Sequence, residues 1–588
     1  MSTIDIPALE QALQDAVSAD ALQAHLETFS TLFRDSGTDD ERKAAQYIFD
    51  TLTSYGLSPK IETFRSYLSW PREGSLTITL ADGTTEDIPV RTRSFGAQTP
   101  EGGLNGELVF VPFKAPGKGE MIFSHRAVAA DYSGLDVTGK IVITSDGGPD
   151  GIRRAQERGA LAHIHIWPSD EGAIHEMIGT PVWGTPTPET ASRIPKIPAL
   201  GVKNADGTHL EELVAAGTIT ANLVSNVDTE WAEVPLVSVD IPGTESDRFL
   251  LVGAHIDSWY EGITDNATGD ASLIEMARVL NGQRDQLRYG LRFAWWPCHS
   301  TGRYAGSTWY ADNHFTELRA KAIGYLNIDS PGTKGAEVWE CRYNSGEIEN
   351  VVASSVRDLS GQDPEIRRPL KAADQSFLGV GLPSLGAYTM LPVDHPDRKA
   401  VGGCGGAWWW HTPFDTIDKA DKEVLAADTQ VYVTIAARMC TPVLHPYNFV
   451  PVANDFIDTI APLQETVGSL LDLTEVLDQA IAFGKAAADL AVFAGGELDA
   501  AKAEQVNRGY LKLSRLVNPA LFTIVGPYEF DPALQLPVLP ALAGANELAT
   551  LDPESDRYGF LRTQLIRQRN RITDILATAT EIATDLIA

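Results

Sequence analysis

The chain has 588 residues, 43% hydrophobic and 21% charged, a balance that supports a folded protein of two to four domains and argues against long disorder. Its formal net charge of -32 repels phosphate backbones and anionic head groups, so nucleic acid and membrane surfaces are not expected as partners. Four cysteines (Cys298, Cys341, Cys404 and Cys440) are too few for a disulfide framework, and Met1–Pro7 lacks the basic and apolar regions of a secretion signal. No apolar run is long enough to span a bilayer, and the expectation is a cytoplasmic protein with reduced thiols.

In chain order, residues 8–56 show apolar positions at helical spacing, from Leu9, Leu13 and Val17 to Leu52, and predict a helical opening. Between about 60 and 235 the texture changes to short β-like runs separated by Gly, Pro and Asp, such as 76–80, 107–111 and 140–144, which predicts a β-rich module. Residues 236–445 then alternate strand and helix: strand 249–253, helix 270–281, strand 290–296, helix 305–320, strand 322–328. This alternation predicts an α/β fold, a mixed and mostly parallel sheet flanked by helices, with functional residues at the carboxyl ends of the strands. From about 455 onward the pattern is helical again, over 457–492, 501–516 and 556–587, interrupted by a Pro-rich stretch between Pro519 and Pro540.

The chemistry concentrates in the α/β part. His255 and Asp257 follow the apolar strand 249–253, and Asp265 precedes the next helix. An imidazole and a carboxylate delivered from one strand-end loop suit a borderline-soft cation such as zinc. Asp257, two residues beyond His255, is a candidate for the carboxylate that fixes the imidazole tautomer. Asp329, after the strand 322–328, and His411, in Trp410-His411-Thr412-Pro413-Phe414-Asp415, complete a four-residue metal set.

At these residues the sequence resembles the zinc-dependent aminopeptidase and glutamate-carboxypeptidase family, in particular its glutamate-carboxypeptidase and transferrin-receptor branch. The insertion adds Asp136-Val137-Thr138-Gly139-Lys140 and Arg158-Gly159-Ala160, and Ala373-Asp374-Gln375-Ser376-Phe377 resembles the stretch before the family's last histidine. The resemblance implies a zinc-exopeptidase-like catalytic domain over 1–62 and 236–450, a protease-associated insertion over 63–235, and a helical dimerisation domain over 451–588. It further implies that Asp265 bridges two metals, with His255 and Asp329 completing one site and His411 serving the other. Zinc is the expected cofactor, as one or two ions, with another divalent transition metal as the alternative; the expected partners are a small-molecule substrate and a second copy of the chain.

One segment departs from the pattern. Where the family carries a Glu-Glu pair, as general base and metal ligand, this chain reads Pro297-Cys298-His299-Ser300-Thr301-Gly302. Counting from Phe293 places His299 and Ser300 in the two slots, and counting back from Gly306-Ser307 places Ser300 and Thr301 there. An imidazole, with an ordinary pKa of about 6.5, can accept a proton near neutrality or bind a metal. His299 is thus a candidate base or ligand, Ser300 and Thr301 are further catalytic candidates, and Cys298 reads as an inert buried thiol.

Trp259, Trp408 and Trp410 are candidate pocket walls, because three consecutive Trp residues cannot all face one core. Arg342 and Tyr388 are candidate substrate contacts, with Arg303 and Arg398 as further candidate anion contacts. The expected function is metal-dependent hydrolysis of an amide or similar bond in a small molecule (an amino-acid amide, N-acyl amino acid or dipeptide), with a proton acceptor other than Glu. A metal-dependent lyase and a catalytically inactive binding or scaffold homologue are the alternatives.

Overall fold

The computed structural model describes residues 4–118, 120, 122 and 127–588; the first three residues of the opening segment read for a leader lie outside that set. Three helices, Ile6–Ala16, Ala19–Phe29 and Asp39–Ser54, form the helical opening. Each is capped by a side chain, of Asp5, Ser18 and Thr38 respectively, accepting a backbone N–H of the first turn.

At the centre, Phe249–His255 lies between Gly290–Trp296 and Ala322–Asn327, all parallel, with Ser384–Leu385 at the edge. Phe249–His255 is buried along its whole length, as expected of a parallel strand covered on both faces. On one face lie Thr268–Gly282, the long helix Lys422–Cys440 and the N-terminal helices, packed around Trp295; on the other, Trp296 packs with Tyr310, Tyr325 and Phe377. The two indoles are neighbours in sequence and point to opposite faces, as strand geometry requires.

Two long strands, Lys60–Thr79 and Thr220–Ile241, pair antiparallel and join this sheet to the insertion. The expected boundaries at 62/63 and 235/236 fall inside these strands, so the sheet continues from Gly290–Trp296 through Thr220–Ile241 into the parallel strands of the insertion at 104–110, 141–144 and 162–166. The insertion also holds helices Gly151–Glu157 and Asn204–Ala216.

Beyond residue 449 the chain is helical: Val450–Val467, Thr474–Ala494, Ala500–Phe522 and Asp556–Ile587. The single helix expected over 457–492 is two, separated at Gly468–Leu473, where Gly468 takes a positive φ. Likewise His314 divides the expected helix 305–320 into Ala305–Asn313 and Phe315–Lys321. Arg515, buried in this region, donates to the carbonyls of Leu318, Ala322 and Gly381 and ties the helices to the sheet. Among the described residues no helix is long and apolar enough to cross a membrane.

Candidate metal centre

The strand Phe249–His255 ends by delivering the buried His255 ring to the carboxyl edge of the sheet. Its Nδ1 meets the backbone carbonyl of Asp257 at 2.8 Å, which leaves Nε2 facing Asp265 Oδ1 at 3.0 Å and Asp329 Oδ1 at 3.6 Å. The other Asp265 oxygen lies 3.4 Å from His411 Nε2, and His411 Nδ1 meets the backbone carbonyl of Glu176 at 2.9 Å. Asp265 therefore lies between the two imidazoles, each with its Nδ1 held by a carbonyl and its Nε2 turned inward. Burial pushes the His255 pKa down, but hydrogen bonds with Asp265 and Asp329 outweigh it and hold the ring well above its ordinary value. Burial likewise pushes Asp265 up, and its bonds with His255 and His411 bring it well below the carboxylate range. Such mutual stabilisation marks a site that favours positive charge at its centre.

The loop around these groups is fixed from three directions. Arg34, fully buried, donates to the carbonyls of Ile256, Glu261 and Gly262. Asp415 accepts from the backbone N–H groups of Thr264 and Asp265 and from the Thr264 hydroxyl, and burial raises its pKa to about 7. The insertion contributes residues 175–178: His175 bonds the Trp410 carbonyl, Glu176 bonds His411 through both backbone groups, and Met177 and Ile178 line the cavity.

Asp257 does something different from the expected fixing of the His255 tautomer by its carboxylate. Its carbonyl meets the ring, while its carboxylate accepts from the backbone N–H of His299 at 3.0 Å and of Ser300 at 2.8 Å. The carboxylate thus anchors the altered segment. That segment is conformationally unusual: Cys298, Arg303 and Tyr304 all have positive φ, 65°, 50° and 69°, a region that non-glycine residues adopt at a cost of about 1–3 kcal/mol each. It is held by Ser36 on the Cys298 N–H, by Ser69 on the Thr301 carbonyl and by Gly184 on the Arg303 carbonyl.

His299 emerges from this loop into the cavity. Its ring stacks on His255 with centroids 3.8 Å apart and planes 17° apart, its Nδ1 lies 2.8 Å from Asp374 Oδ2, and Tyr304 stands edge-on against it. Asp374 in turn accepts from the Ser307 hydroxyl. Ser300 also lines the cavity, whereas Thr301, fully buried, turns its carbonyl to Ser69 and lies outside the lining. Cys298 is fully buried, and burial with the nearby Glu41 and Asp257 charges pushes its thiol pKa well up.

The cavity over these groups has a volume of about 60 Å³ and includes Asp265, Asp329, His299, His411, Arg303, Tyr304 and Trp410 in its wall. Trp410 stacks on His411 at 3.6 Å. Of the other residues expected at the substrate, Arg342 and Tyr388 line a smaller adjoining cavity that shares Asp329, Tyr343, Gly402 and Gly403. Arg342 is paired there with Glu340, and the Tyr388 hydroxyl meets Asn327. Trp259 packs with Phe95 and Ile178 behind His411, and Trp408 bonds Asp397, so neither is part of the lining. The roles of Arg34, Glu176 and Asp374 had no local sequence signal beyond the 373–377 resemblance, because their partners are distant along the chain.

The donor types fit a divalent cation. His255 Nε2 lies 3.0 Å from an Asp265 oxygen and 3.6 Å from an Asp329 oxygen, an imidazole nitrogen flanked by two carboxylates, as catalytic zinc sites use. One donor atom from each of His255, His299 and Asp329 also lies within 4.8 Å of the other two. The ring stacking nevertheless argues against His299 as a fellow ligand. An imidazole lone pair lies in the ring plane, and stacking keeps the His255 and His299 planes nearly parallel, so the two lone pairs do not converge, which favours His299 as a base over a ligand.

Comparison with known proteins agrees with this architecture. Residues 237–436 match the model of peptidase family M28. A probable glutamate carboxypeptidase of Arabidopsis thaliana is 24% identical over 458 residues, covering 65% of this chain and 61% of the relative. Leucine aminopeptidase 2 of Trichophyton equinum is 33% identical over 256 residues, covering 40% of this chain and 50% of the relative. The chain thus spans about half to three-fifths of the length of these curated relatives. In fold, it is similar to an aminopeptidase from Aneurinibacillus sp. strain AM-1 (TM-score 0.56, 23% identity, 74% of this chain and 96% of that one). A peptidase M28 precursor from Shewanella amazonensis gives a TM-score of 0.58 at 18% identity, over 75% of this chain and 97% of that one. Residues 237–436, about a third of the chain, are thus the segment that matches peptidase family M28, and the fold around them is similar to that of a solved aminopeptidase.

Proposed function

We propose that the protein hydrolyses an amide or similar bond in a small molecule, with one divalent metal, zinc by preference, held by His255, Asp265 and Asp329, and with His299 as proton acceptor. The observation that carries this reading is that Asp265, Asp329 and His299 line one small cavity, with His255 Nε2 facing both carboxylates and His299 backed by Asp374. A bound divalent cation polarises a carbonyl and acidifies water. The chain's own residues do the rest. Asp374 accepts the Nδ1 proton of His299, which leaves the Nε2 lone pair free toward the cavity, and the carboxylate stabilises the imidazolium once a proton has been taken up. Asp257 fixes the backbone beneath the ring, and stacking on His255 fixes its plane. Trp410 excludes water from one side. All four cysteines are free and buried, which supports the cytoplasmic placement.

The test is turnover of dipeptides and N-acyl amino acids in ¹⁸O-water. One labelled oxygen should enter the acid product, and His299→Ala should lower kcat by about 100-fold or more while bound metal stays constant. Products without added oxygen would transfer the site to lyase chemistry, and a His299→Ala variant with near-normal turnover would overturn the base assignment.

A further inference from the structure

We infer that Arg303 is the recognition point for a carboxylate on the substrate, an inference that rests on the proposed hydrolysis and narrows its substrate to small carboxylate-bearing amides. Arg303 is 4% exposed and lines the same cavity as Asp265, Asp329, His299 and His411. Its Nε donates to the Thr180 carbonyl at 3.2 Å, its guanidinium carbon lies 5.7 Å from the Tyr304 ring centroid with a side-chain hydrogen bond to that tyrosine, and its Nη2 is buried without a hydrogen-bond partner. Among the described residues no carboxylate forms an ion pair with it, in contrast to Arg342 and Arg154, which are paired with Glu340 and Asp146. A buried guanidinium left unpaired is strongly unfavourable, and a planar fork of donors is suited to a carboxylate.

The backbone supports the same conclusion. Arg303 holds a φ of 50° and is pinned on both sides by the insertion, its carbonyl by the Gly184 N–H and its Nε by Thr180. A strained residue whose surroundings fix it so fully is one whose side-chain position matters. The cavity lining has Ile178, Ala372, Ala373 and Tyr343 besides the Asp265, Asp329, His299 and His411 of the metal centre, and Arg303 is its one arginine or lysine among the described residues, the permanent cation placed to offset a substrate anion.

The experiment is calorimetric binding of N-acetylalanine and of its neutral counterpart N-acetylalaninamide to the protein purified with its metal. The carboxylate should bind the wild type at least about tenfold more tightly than the amide, Arg303→Met should bring the ratio to within about threefold, and Arg303→Lys should keep part of the preference. Three results would overturn the inference: no measurable binding of N-acetylalanine to the wild type, equal binding of the two probes to it, or full preference in Arg303→Met. The wild-type comparison needs no variant, so a folding failure leaves the question decided. Because binding and ¹⁸O incorporation are separate readouts, a carboxylate preference with no ¹⁸O incorporation would retain Arg303 and reject hydrolysis, and hydrolysis without preference would do the reverse.

Discussion

At the scale of single residues, the ligand pattern has a consequence for metal stoichiometry. The segment Cys298–Gly302 holds no carboxylate, and on the His411 side of Asp265 the described residues supply only those two donors, whereas His255 Nε2 faces both Asp265 and Asp329 on the other. Metal analysis should therefore give close to one ion per chain. His255→Ala should remove most of it, and His411→Ala should leave most in place. Two ions per chain, or equal losses in the two variants, would show that the His411 side is a full site. His255 and Asp329 were legible in the sequence because apolar strands lead into them, and Asp265 because a helix follows it, whereas His411 stands in a turn region and its metal role rests on the resemblance. The register of the altered segment was not legible, since one extra residue left two alignments. In the structure the Asp257 carboxylate takes the His299 and Ser300 N–H groups, a contact across 42 and 43 positions that no local pattern reports. Asp374 pairs with a residue 75 positions away, a distance over which no local periodicity reports.

Among the elements, the link between helices Lys422–Cys440 and Val450–Val467 holds His445, 1% exposed, with neither ring nitrogen hydrogen-bonded. Tyr289 and Tyr447 pack against it, and burial followed by the nearby Arg248 and Arg515 charges lowers its pKa to about 3. The folded chain thus keeps this ring neutral where the unfolded chain, with an ordinary pKa of about 6.5, takes up a proton. Its contribution to stability is complete above about pH 6.5 and falls by about 1.4 kcal/mol per pH unit as pH drops toward 3. His445→Phe should flatten the decline in melting temperature between pH 6 and 4 while changing little at pH 7.5. A variant as acid-sensitive as the wild type would assign that decline to other groups. The strands of the central sheet were readable from their apolar runs, and the helix 556–587 from its spacing. The breaks at His314 and Gly468 were not, because apolar spacing continues across them.

For the whole molecule, the expected twofold assembly becomes a proposal about the helices beyond residue 449. Ile481 and Val492 on Thr474–Ala494 and Phe560 on Asp556–Ile587 are 53%, 81% and 72% exposed, and these two helices pack against each other. Closed dimers are the commonest soluble assemblies. Light scattering should give about twice the chain mass of 63.6 kDa at micromolar concentration, and Val492→Glu with Phe560→Glu should shift it to the monomer. A monomer mass in the wild type would reject the assembly.

The paired strands Lys60–Thr79 and Thr220–Ile241 act mechanically as a single beam. They run from the central sheet into the insertion, with one register shift between Pro71 and Gly74, so the insertion is braced against swinging on a hinge. The proposed small substrate accords with this bracing, because residues 177–178 of the insertion and 402–403 of the other half both line the cavity, and a long chain seated between them would strain against the beam.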